Sequence, residues 1–240
     1  MTRYKASVLH LLGSASVLFL SFSLIYWVWY PGRLFSAVGG VELLRLLVCV
    51  DLVLGPLIML IIFDAKKKLI KLDVAIVLLC QLGFLAYGVH TIFVARPIYL
   101  AFVDDRFYMV RANEIDATER AKVTDPLFKG TPYFGPVIVG TQEPTDVKTR
   151  NEIVFAGLGG MGIQNLPRYY VPYSKVLPHV QAALKSSADL KLIEPSVRAQ
   201  LQVIEKSHAA NPVGFLMMVR RPAPLIAVIQ KNTGEILELI

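Results

Sequence analysis

The sequence predicts three transmembrane helices that anchor an α+β domain built on an antiparallel sheet. Three apolar runs, each long enough to cross a bilayer, follow one another within residues 1–96. Lysine and arginine gather near the ends of those runs. From residue 97 onward the pattern changes to short β-rich runs and helix-compatible stretches, punctuated by proline and glycine.

Composition points the same way. Hydrophobic residues make up 55% and charged residues 18%, with a mean hydropathy of +0.54, a balance foreign to an ordinary soluble domain. The formal charge of +7 is unevenly placed. Residues 1–96 hold nine Lys/Arg against four Asp/Glu, a surplus of five; residues 97–240 hold sixteen against fourteen, a surplus of two. The basic excess thus sits at the membrane, where it sets topology, and the pI of 9.4 does not argue for a nucleic-acid partner. Cys49 and Cys80 both fall inside apolar runs, so no disulfide framework and no CxxC motif is present.

The first run, about residues 8–30, follows Arg3 and Lys5. It is longer than the core of a secretory signal and ends in IYWVWYP, whose Tyr26, Trp27, Trp29 and Tyr30 suit a membrane–water interface. A retained anchor is therefore expected. The second run, about residues 43–63, spans roughly 30 Å as a helix, the thickness of the hydrocarbon core. Lys66, Lys67, Lys68 and Lys71 follow it, and short lysine-rich loops stay in the cytoplasm. The third run, about residues 72–94, ends at Arg96-Pro97. This order leaves the amino terminus inside and residues 97–240 outside. In a bacterium, that means a multi-pass inner-membrane protein with a periplasmic carboxy-terminal domain.

The domain opens with PIYLAFVDDRFYMVRA, a hairpin turning at Asp104-Asp105. Helices are expected over Asn113–Ala121, Asp146–Ala156, Ser174–Lys185 with Ser174 as N-cap, and Pro195–His208. Val137–Val139 reads as a strand. At the end, GFLMMVRR, PLIAVIQ and EILELI read as strands, the last two joined by the turn KNTG.

Few motifs carry chemistry. Asp51 lies near mid-bilayer, where an ionised carboxylate costs several kcal/mol, so it must face protein. Two readings are open: a structural hydrogen bond to Ser21, Ser23 or Gln81, or a contact for an incoming membrane helix. Gly55-Pro56, one turn on, is expected to kink the helix and open a groove. Gly157–Gly162 satisfies GxGxxG, but Pro167 stops any following helix and position 182 is alanine, so a structural glycine loop is expected. Beyond it, Arg168, Tyr169, Tyr170 and Tyr173 are residue types that anchor protein contacts and also ordinary loop walls.

Catalysis finds no support. His10 and His90 sit near helix ends, and His179 and His208 lie on separate helices without partners at metal-ligand spacing. GxSxG, SxxK and HExxH are absent, and KNTG is not a KTG box. A binding protein without metal or cofactor is expected.

Taken together, HLL (His10–Leu12), WVWYP (Trp27–Pro31), VDLVLGPLIMLIIF (Val50–Phe63), the triple lysine and LAYGVHTIFVARPIYLAFVDDRF (Leu85–Phe107) carry a family resemblance. So do GG…LPRYYVPY (Gly159–Tyr173) and TGEILEL (Thr233–Leu239). The chain resembles the type IV pilin accessory proteins of the TfpX/TfpZ type. The resemblance implies an accessory or chaperone protein that binds the pilin subunit and helps it accumulate and assemble. Membrane lipid and other pilus assembly proteins are its further implied partners. On that reading Asp51, Gly55, Pro56, Arg168, Tyr169, Tyr170 and Tyr173 are the candidate partner-binding residues. The alternatives are a membrane-tethered periplasmic sensor or ligand-binding module, and a membrane-anchored modifying enzyme.

Overall fold

A computed structural model describes residues 2–31, 34–37, 39–158, 160–190, 193–219 and 224–240. The chain forms two compact units, Met1–Arg96 and Pro97–Ile240. Each is described by itself.

The first unit is helical. Helix α1 (Arg3–Leu24) starts at Thr2, whose hydroxyl accepts from the Lys5 amide, and a wide π turn over Ile25–Trp29 continues it. After the short α2 (Leu34–Ala37), α3 (Gly40–Val48) passes through a π-helical stretch, Cys49–Leu54, into α4 (Gly55–Ile62). Helix α5 (Ile70–Val94) closes the unit. The composite helices Arg3–Trp29, Gly40–Ile62 and Ile70–Val94 are each long and apolar enough to cross a membrane, so the chain is a membrane protein.

Just ahead of Gly55-Pro56 the helix takes wide π turns, over Cys49–Leu54, the kind of irregularity at which helices bend. Pro56 offers no N–H, and its ring crowds the carbonyl four residues back; wider turns over Cys49–Leu54 absorb both defects. The terminal aromatics also divide. Trp27 is 72% exposed. Tyr26 and Tyr30 instead pack edge-on to Phe35, Trp29 meets Phe93 at 4.9 Å, and the Tyr30 hydroxyl donates to the Ile92 carbonyl. The cluster mainly joins helix ends. Cys49 and Cys80 are free thiols.

The second unit is an α/β domain. Among the described residues its sheet has seven strands, in the order β4-β3-β1-β2-β5-β6-β7. They are β1 (Pro97–Val103), β2 (Arg106–Arg111), β3 (Val137–Thr141), β4 (Tyr170–Pro172), β5 (Val213–Val219), β6 (Leu225–Gln230) and β7 (Ile236–Leu239). The hairpin β1–β2 turns at Asp104, which sits at φ 55°. The β6–β7 hairpin turns at Gly234, φ 72°. The sheet is mixed, where an antiparallel one was expected: β1 pairs β3 and β2 pairs β5 in parallel. Residues 112–136 carry the chain from β2 past β1 to its far edge, where β3 runs parallel to β1, and the crossover 173–212 returns it in the same direction, so that β5 runs parallel to β2. Arg220 and Arg221, read as the end of β5, lie outside the described residues.

Both sheet faces are covered. Tyr99, Ala101, Val110 and Val139 meet Ile115, Val123, Phe128 and Tyr170 from the crossover segments. On the same face Val213, Phe215, Ile226 and Val228 meet Leu201 of α10 (Pro195–Ser207). The opposite face takes α9 (Tyr173–Ala183), which seats Val176 where any Cβ at Gly140 would clash. Between β2 and β4 lie the short α6 (Ala117–Ala121) and α7 (Pro126–Lys129), then α8 (Val147–Leu158). Ser174 is not an N-cap: α9 begins one residue earlier, and Pro172 holds that position without a side-chain bond.

Candidate functional site

Helices α1, α4 and α5 bring polar side chains together inside the first unit. Asp51 lies within the π-helical stretch and is 5% exposed. Gly55 lies four residues on, hence on the same side of the helix. His10 of α1, 8% exposed, and Gln81 of α5 both reach Gly55. A Cβ placed there would collide with the Gln81 amide and stand 2.8 Å from His10 Nε2. Glycine is required by this close approach. One position further, the Ser7 hydroxyl donates to the Pro56 carbonyl at 2.8 Å.

His10, Asp51 and Gln81 line a cleft of about 420 Å³, whose other walls include Val17, Met59, Val74, Leu78, Leu82 and Leu85. Apart from His10, Asp51, Gln81 and the Ser14 hydroxyl, the lining is apolar. Among the described residues, His10 Nε2 and both amide atoms of Gln81 have no hydrogen-bond partner. Of the partners expected for Asp51, Ser23 donates instead to the Phe19 carbonyl, and Gln81 shares the cleft without bonding to it.

Asp51 lines the cleft with Gln81, and Gly55 and Pro56 lie buried in the helix one turn on. His10 was missed. It had been assigned to a helix end, but it lies within the span Arg3–Trp29. A signal was available: antiparallel neighbours bring the beginning of the first run against the end of the second.

The second group of candidates is tied into the domain. Arg168 pairs with Glu119 at 3.1 Å and stacks over the Tyr169 ring at 4.9 Å. Tyr170 is 4% exposed, edge-on to Tyr99 at 5.0 Å, with its hydroxyl donated to the Gln164 carbonyl. Burial pushes its phenol well above the ordinary tyrosine range. The Tyr173 hydroxyl donates to the Gly234 carbonyl at 2.7 Å, and burial raises its pKa to about 12. Tyr170 and Tyr173 therefore serve as wall; Tyr169 keeps a half-exposed ring.

The glycine loop is a helix stop. Gly160, φ 94°, donates to the Gly157 carbonyl, and the Met161 amide reaches back to Ala156, the double bond of a Schellman cap. Gly159, the central glycine of the motif, lies outside the described residues. Helix α8 itself buries no side chain among the described residues, and Val147, Val154, Phe155 and Leu158 stand exposed along it. No group of three or more His, Cys, Asp or Glu among the described residues is placed to hold a metal ion.

A fimbrial assembly protein of serogroup I from Dichelobacter nodosus is 28% identical over 234 residues, covering 95% of this chain and 91% of that relative. The serogroup E1 protein of the same organism is 29% identical over 186 residues, 77% of this chain and 72% of its own length. The protein of serogroups C1 and C2 is 31% identical over 113 residues, 46% of this chain and 86% of its own length. No family model matches the chain, and no solved structure does.

Proposed function

The chain belongs to the fimbrial assembly protein family, and from that premise we propose that it binds the pilus subunit and keeps it competent for assembly. The observation that carries this reading is the extent of the match, which runs through both the membrane unit and the α/β domain. The reading also takes the chain for a type IV pilin accessory protein of the TfpX/TfpZ type, acting as a chaperone in the inner membrane. A pilus subunit awaiting assembly presents an apolar membrane segment and a head outside it. Three spans followed by an α/β domain offer a surface for each. Lys66, Lys67, Lys68 and Lys71 support an orientation with the amino terminus in the cytoplasm and the domain in the periplasm. The action is binding, without catalysis.

Affinity capture of the full chain from native membranes tests it. The pilus subunit is expected among the captured proteins, and deletion of the chain is expected to lower subunit level and surface pili. Capture without the subunit, together with unchanged piliation, overturns the reading.

One observation favours a ligand-binding module instead. The domain holds an open cleft of about 580 Å³ with Asp104, Glu143, Lys175 and His179 in its wall. That reading predicts a small polar ligand retained by the purified protein.

A further inference from the structure

We propose that the cleft between His10, Asp51 and Gln81 is a socket for one carboxamide or un-ionised carboxyl side chain, carried on an apolar membrane segment of the pilus subunit. The inference rests on the reading that the chain binds that subunit. Hydrocarbon offers no water, so polar atoms buried among membrane helices need a protein partner. Three polar atoms converge here from two helices without one among the described residues, His10 Nε2, Gln81 Nε2 and Gln81 Oε1, and the Asp51 carboxyl lines the same cleft from a third helix. His10 and Asp51 are each more than nine-tenths buried. Gly55, without a side chain, lets the Gln81 amide and the His10 ring come together over its backbone.

The donor and acceptor inventory selects the occupant. Gln81 Nε2 needs an acceptor and Gln81 Oε1 needs a donor, so the incoming group must supply both. An ammonium or guanidinium pairs with Asp51 but has no acceptor for Gln81 Nε2. An ionised carboxylate has no donor for Gln81 Oε1, and its own charge is costly among apolar walls. A carboxamide or neutral carboxyl answers both atoms of Gln81 in one planar contact and leaves its remaining capacity to His10 and Asp51. The stem beyond that group must be apolar, because Val17, Leu78 and Leu82 form the walls. A cleft of about 420 Å³ admits side chains and not a whole helix, so the segment lies across the mouth and inserts a knob.

The test places a photoreactive phenylalanine at Leu78 of the full chain, in native membranes, and maps the crosslinked residue. A control probe stands at Phe155, far along the sequence on the exposed face of α8. The expected product at Leu78 is the pilus subunit, crosslinked within its apolar segment beside a carboxyl- or carboxamide-bearing residue. Gln81→Leu and His10→Phe are each expected to cut that product about three- to fifteen-fold, the worth of one membrane hydrogen bond. The thermal midpoint of each variant in detergent is expected to hold or rise, since unpaired polar atoms have been removed. Replacing the mapped subunit residue by leucine is expected to add little further loss to Gln81→Leu.

Several outcomes overturn the socket. They are a product unchanged in both variants, a lipid or small molecule in place of a protein, and a mapped segment bearing only apolar or cationic side chains. A midpoint that falls in step with the product also does so, because the polar atoms then serve the fold of this chain. Subunit captured at Phe155 but not at Leu78 defeats the socket while leaving subunit binding intact. Capture at neither position, with no subunit co-purifying, defeats both.

Discussion

The Ser7 hydroxyl of α1 donates to the Pro56 carbonyl of α4, 49 positions away in the sequence, at 2.8 Å. This bond fixes the height of the first helix against the second immediately below Gly55, where His10 and Gln81 meet. Removing it is expected to loosen the pair without adding bulk. Ser7→Ala should lower stability in detergent by about 0.5–1.5 kcal/mol, the range of interhelical hydrogen bonds in membranes. Thermal unfolding followed by circular dichroism measures this, and an unchanged midpoint shows that the bond contributes nothing.

Glycines in the membrane unit should respond unequally to alanine. A Cβ on Gly40 stands 2.5 Å from the Phe35 ring and 2.6 Å from the Phe35 carbonyl, so backbone must move. Gly40→Ala is expected to cost about 1–3 kcal/mol, as overpacking does. Gly83 has nothing within 4 Å of that position, and alanine favours helix. Gly83→Ala should match or exceed the wild type. Equal midpoints for the two variants would mean that Phe35 does not seat against Gly40.

The domain should lose stability in alkali through Tyr173. Its pKa is raised to about 12 by burial, against 10.0 for a free tyrosine. A raised pKa on an acid means that the folded state prefers the neutral phenol. That preference is fully present below pH 10 and is lost as pH climbs from 10 towards 12. Ultraviolet titration of wild type against Tyr173→Phe should show a late-ionising phenol missing from the variant. A phenol at Tyr173 titrating near 10 refutes its bond to Gly234.

Reporter fusions address orientation. A fusion after Ile70 is expected to be active only as a cytoplasmic reporter, and one after Ala112 only as a periplasmic one. The lysines between Phe63 and Leu72 supply the reason, since positive loops stay inside. An active periplasmic reporter at Ile70 reverses the assignment and moves the domain to the other side.

The sequence by itself determined the membrane class, the three spans, the hairpin at Asp104, the closing hairpin at Gly234 and the helix Pro195–Ser207. Each is a local property: length of apolar run, alternation, turn chemistry or a proline in a first turn. It also singled out Asp51 and Gly55-Pro56, because a carboxyl and a helix breaker are conspicuous against hydrocarbon. Only the tertiary structure decided what these residues meet. The two parallel pairings depend on where long crossovers return, which strand sequences do not encode. Tyr170 and Tyr173 look like an exposed aromatic cluster until the sheet and α9 enclose them. His10 reads as a helix-end histidine until the rotation and height of α1 turn it toward Gly55, beside Gln81 from the third helix. Such convergence is set by packing between helices, where a side chain's partner lies many residues away and its direction follows from the neighbouring helix.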